Sequence, residues 1–143
     1  MKFLLIKGLR NLMPQISLRI SKNIDMAQLD FSELFAAIHE VLRDAPYVDV
    51  STCQSGVIQE DFSYFGLGDE KKTKMYLELY WVETEQRIAI KKHLALQLMK
   101  ILESYIVPQV EKQQLTCIPR VRIANLGTPD QDYHISERTP AVS

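Results

Sequence analysis

Ile16, Leu18 and Ile20 alternate with Gln15, Ser17, Arg19 and Ser21. That period of two predicts a half-buried strand. The period then lengthens. Phe31, Leu34, Phe35, Ile38, Val41 and Leu42 recur at helical spacing and predict an amphipathic helix. Asp30, with Glu33 three residues on, has the form of a capping box and places its start. Asp44-Ala45-Pro46 ends it, because proline pushes the preceding residue out of the α region. Val48 and Val50 alternate with Asp49 and Ser51, predicting a second strand over 48–55. Gly56 to Lys72, with Gly66, Gly68 and several charges, reads as a long loop or excursion. Met75, Leu77, Leu79 and Trp81 against Tyr76, Glu78, Tyr80 and Val82 give the clearest strand pattern of the chain. From Thr84 or Glu85 to Ile106 a second helix buries Leu94, Leu98, Ile101, Leu102 and Tyr105, and Pro108 stops or kinks it. Val121 and Ile123 between Arg120 and Arg122 predict a last strand, Gly127 to Asp130 a turn, and the polar stretch from Ser136 a frayed tail.

The order is strand, helix, strand, twice over, with the halves about 60 residues apart. Each β-α-β unit makes its two strands parallel. Two units side by side give an α+β fold, one four-stranded mixed sheet with two helices on one face. Two helices cannot cover both faces, so self-association is the natural cover for the other. The same order also fits a ferredoxin-like module that binds a small ligand, so topology alone does not choose a function.

Composition narrows the classes. The chain has 143 residues, enough for one domain and a core that needs no metal or disulfide staple. Seventeen Lys and Arg against 18 Asp and Glu leave a net charge of −1, which offers no excess of cations for a nucleic-acid backbone. Phe3-Leu4-Leu5-Ile6, like every other apolar run of the chain, is far short of a membrane span. Cys53 and Cys117 form no C-x-x-C and read as thiols of a reducing cytoplasm. His39, His93 and His134 lack metal-ligand spacing. Met1 to Leu12 (MKFLLIKGLRNL) has too short an apolar stretch for an export signal, and Met13 behind it offers a second translation start. The expected organisation is an extension over 1–13, a domain over 14–135 and a tail over 136–143.

Recognised catalytic motifs are absent: Gln54-Ser55-Gly56 lacks the first glycine of a nucleophile elbow, and Gly66-Leu67-Gly68 leads into charges rather than a phosphate loop. Arg87 stands out. It falls in the first turn of the second helix, where the macrodipole disfavours a cation and where amide N–H groups plus a guanidinium would suit a carboxylate. The plain alternative is pairing with Glu83 or Glu85.

The stretch Pro14-Gln15-Ile16-Ser17-Leu18-Arg19-Ile20-Ser21-Lys22-Asn23-Ile24 resembles the opening of the 5-carboxymethyl-2-hydroxymuconate isomerases, in the tautomerase superfamily. The Leu34-Phe35 helix, the Glu60-Asp61-Phe62 loop, the Tyr76–Leu79 strand, the Arg87 helix start and Leu98-Met99 follow in order, so the likeness runs from Pro14 to about Ile135. It implies a trimer of double β-α-β units, a small carboxylate substrate and no cofactor or metal. It also implies an amino-terminal proline, here Pro14, as general base, with Arg87 binding a substrate carboxylate. Two departures stand beside it. Pro14 is internal as written, so its nitrogen is an amide without basicity. The family's other arginine, on the strand after helix one, has no counterpart between Arg43 and Arg87; Arg19, Arg120 and Arg122 are the other candidates. Both departures leave room for a non-catalytic chain of the same fold.

Overall fold

The computed structural model describes residues 14–46 and 48–126. The expectations for Met1–Met13, the Gly127–Asp130 turn and the tail from Ser136 lie outside the described residues. Four strands form one sheet: β1 (Gln15–Ile20), β2 (Gln54–Gln59), β3 (Met75–Trp81) and β4 (Arg120–Asn125), in the order β2-β1-β3-β4. β1 and β2 are parallel, β3 and β4 are parallel, and β1 meets β3 antiparallel at the centre. Helix α1 (Phe31–Arg43) joins the first pair. Helix α2 (Glu85–Tyr105) and the short α3 (Val107–Glu111) join the second. This is the double β-α-β arrangement that the alternating pattern predicts.

Side-chain parity separates the two sheet faces. Ile16, Leu18 and Ile20 of β1 and Met75, Leu77, Leu79 and Trp81 of β3 are buried under Leu34, Ile38 and Leu42 of α1 and Leu94, Leu98 and Leu102 of α2. Leu98 is 1% exposed at the middle of this layer. Leu98→Ala is expected to cost about 2–5 kcal/mol, because the cavity closes only in part, read as a lower urea midpoint at unchanged slope. The opposite parity carries Gln15, Ser17 and Arg19 of β1, Tyr76, Glu78 and Tyr80 of β3, and Arg120 and Arg122 of β4. Among the described residues no helix is long and apolar enough to cross a membrane.

Caps fix the helices. The Asp30 carboxylate accepts from the Glu33 N–H at 3.0 Å, as the capping signature predicts. Thr84 caps α2 by accepting from the Arg87 N–H at 3.2 Å. Pro108 sits in the first turn of α3, where its missing N–H costs nothing, so the helical path breaks at Ile106 and restarts.

Two boundaries differ from the sequence reading. The second strand is Gln54–Gln59, not 48–55. The Asp49 carboxylate accepts from the Ser51 N–H at 3.1 Å and from the Ser51 hydroxyl at 2.6 Å, and so winds Val50–Thr52 into a 3₁₀ turn. Such local bonds compete with a ladder. Gly56 accordingly belongs to β2, opposite Ser17, rather than opening a loop. The true excursion follows Gln59. It is pinned by the Glu60–Lys74 ion pair at 2.7 Å and by Asn23 Nδ2, which donates to the Lys72 carbonyl at 2.7 Å. Gly68, at φ +100°, makes a turn that other residues rarely allow.

Candidate active site

Pro14 immediately precedes β1 and is buried. Its surroundings follow from register. Gln15 faces Tyr80 in the β1–β3 ladder and Gln54 in the β1–β2 ladder. One step back, Pro14 therefore stands beside Trp81 on one side and Cys53 on the other. Parity turns it to the helix side of the sheet, as it does Ile16 and Trp81.

Arg87 reaches the same end of the sheet from the first turn of α2. It is 0% exposed. Its Nη1 donates to the Val82 carbonyl at 2.7 Å and its Nε to the Pro46 carbonyl at 3.1 Å. Its guanidinium carbon lies 5.2 Å from the centroid of the Trp81 ring, a cation–π distance. Neither acidic neighbour is the partner these contacts display, and Glu83 instead pairs with Lys91. The cation disfavoured by the helix dipole is thus held by backbone carbonyls and an indole face. The fold brings Pro14 and Arg87 to one end, each next to Trp81. Cys53 completes the group. Burial, then the Asp49 carboxylate, push its thiol up from the ordinary range, and the Arg87 cation opposes them.

Arg19, Arg120 and Arg122 lie on the opposite sheet face. Arg122 approaches Glu78 at 3.8 Å, Arg120 lies over the Tyr76 ring at 5.2 Å, and Arg19 is opposite Tyr76 in register. Tyr80 donates its hydroxyl to Glu78, and that bond, with burial, raises the Tyr80 pKa. A cleft of about 320 Å³ opens between α1 and α2, lined by Val41, Asp44, Ile90, His93, Leu94 and Gln97, and includes neither Pro14 nor Arg87. Among the described residues no group of three or more His, Cys, Asp or Glu is disposed to hold a metal ion.

His39 of α1 meets Ser55 of β2 at 2.6 Å and ties the edge strand to the helix layer. Burial lowers the His39 pKa below its usual 6.5. The unfolded chain then binds the proton more readily, so this contribution is complete above pH 6.5 and shrinks as pH falls through the folded value. His39→Gln is expected to flatten the pH dependence of the urea midpoint below that pH; an unchanged slope against pH would assign the dependence elsewhere.

The sequence reading missed Trp81 and Cys53 as members of this group. Only register places them beside Pro14, and alternation alone gives no register.

No family model matches the chain, and no curated protein sequence does. Solved structures do. A 5-carboxymethyl-2-hydroxymuconate isomerase from Deinococcus radiodurans R1 superposes with a TM-score of 0.69 at 15% identity, covering 90% of this chain and 92% of that one. A 5-carboxymethyl-2-hydroxymuconate delta-isomerase gives 0.62 at 12% identity over 95% and 91%. A fused 4-OT protein, described as a symmetric trimer, gives 0.50 at 11% over 85% and 91%. The chain has the fold of these isomerases, the fold implied by the strand that opens at Pro14.

Proposed function

We propose that this protein is an isomerase, a tautomerase of unsaturated 2-hydroxy or 2-oxo acids resembling 5-carboxymethyl-2-hydroxymuconate. The general base is the secondary amine of Pro14 in a mature chain that begins there. The observation that carries this reading is the place of Pro14: buried at the head of the central strand β1, between Trp81 and Cys53, at the end of the sheet where Arg87 is held. Removal of Met1–Met13 turns an amide nitrogen into an amine. Burial and a nearby cation both disfavour the protonated amine, so it is neutral near pH 7. It takes a proton from the 2-hydroxyl or an adjacent carbon and returns it further along the conjugated system. The net change is the position of one proton and the double bonds.

Arg87 binds the substrate carboxylate in this reading, and its charge stabilises the enolate that develops. Its N–H groups already serve two carbonyls, so a carboxylate gains from it chiefly through charge, or by displacing the Pro46 carbonyl. No cofactor is called for. The polar face of the sheet, which self-association would cover, and the trimeric relative support a homotrimer. Free Cys53 and Cys117 suit a reducing cytoplasm.

The test is the intact mass and amino-terminal sequence of protein made from its native upstream region, followed by an assay on 2-hydroxymuconate-type acids. A chain beginning at Pro14 that turns these acids over supports the reading. Retention of Met1 in all of the protein would sink it, because an acylated proline is no base, and would favour a non-catalytic chain of this fold.

A further inference from the structure

Trp81 carries a buried indole N–H without a hydrogen-bond partner among the described residues. Buried polar groups are nearly always paired, so an exception calls for a physical reason. This residue is 0% exposed, its ring is held under the Arg87 guanidinium, and the antiparallel register sets it beside Pro14 on the same face of the sheet. In the 143-residue chain the Pro14 nitrogen is a tertiary amide, whose lone pair is delocalised and accepts no hydrogen bond. A chain that begins at Pro14 has a secondary amine there, with one lone pair and nothing else to offer an N–H donor. The missing acceptor and the missing base are then the same atom.

We propose that the Trp81 indole N–H donates to the amine nitrogen of Pro14 in the mature chain, making Trp81 a positioning residue that holds the resting amine unprotonated; the bond opens when the one lone pair turns to take the substrate proton. The proposal rests on the reading of Pro14 as the mature terminus. A donor on the lone pair stabilises the neutral amine only, and protonation breaks the bond. Arg87 from α2 acts in the same sense through its charge. Asp49 from the turn before β2, whose charge reaches the neighbouring Cys53 thiol, acts in the opposite sense. The Glu83–Lys91 pair is internally balanced, and the Cys53 thiol is held protonated by burial. Trp81 thus adds a directional term to an environment whose charges are mixed.

The chain has one tryptophan, so its indole N–H gives a single, self-assigned cross-peak in a ¹H–¹⁵N spectrum. In protein beginning at Pro14 this peak is expected to titrate with the same midpoint as the Pro14 amine, followed by proline ¹⁵N labelling. In the 143-residue form it is expected not to move with that midpoint. Trp81→Phe, which keeps a ring under Arg87, is expected to shift the acid limb of kcat/KM upward by about half to one pH unit. An indole peak that stays still while the amine titrates would overturn the proposal and leave the isomerase reading intact. An indole peak that follows the amine in protein with no activity on the acids would do the reverse.

Discussion

In protein beginning at Pro14, Pro14→Ala is expected to lower kcat/KM on 2-hydroxymuconate-type acids by about 10²–10⁴. That range is the usual contribution of a positioned general base, about 2.7–5.4 kcal/mol of barrier. The replacement keeps an amino terminus at the same place but makes it a primary amine, free to rotate and no longer fixed by a ring. The 143-residue form is expected to fall to the same floor, since its Pro14 nitrogen has no basicity. Unchanged circular dichroism and urea midpoint in Pro14→Ala would assign the loss to chemistry rather than folding. Turnover by the 143-residue form equal to that of the shorter chain would show that some other group takes the proton.

The legible part of this molecule is the part set by local periodicity. Alternation places β1 and β3 at Gln15–Ile20 and Met75–Trp81, because each buries one face against helices and leaves the other exposed or half-buried. The 3.6 period and the Asp30 cap place α1. β2 is an edge strand with one face exposed and the other only half-buried, so apolar and polar residues hardly sort along it. The more regular alternation just upstream, Val48 to Ser51, leads into a turn that the Asp49 carboxylate holds closed. The site shows the same division. Arg87 is visible as a cation out of place at a helix start, and Pro14 only through the family resemblance of the stretch that it opens. Their meeting at Trp81 depends on ladder register and on the return of α2 over the sheet, which are relations between distant segments. Arg87 donates to the backbone carbonyls of Pro46 and Val82, and no side-chain pattern announces these.

Those carbonyls set the second large effect. Arg87→Met is expected to destabilise the fold by about 3–5 kcal/mol, because removing one partner of a buried charged contact leaves the other unpaid by solvent. Methionine fills much of the space of the arginine stem, so the loss is chiefly that of the donors to Pro46 and Val82. Arg87→Lys restores the charge but not the planar fork, and a single ammonium cannot match both carbonyl directions and stack on the Trp81 face. It is expected to recover less than half of the loss. Arg43 provides the contrast: it pairs with Glu40 at 3.0 Å, but both side chains are more than 60% exposed. Arg43→Met is accordingly expected to move stability by less than about 0.5 kcal/mol. Urea unfolding of the three variants decides the matter. Similar small shifts at both arginines would mean that the carbonyl clamp contributes nothing to the fold, and that Arg87 is held in place for its charge at Pro14 alone.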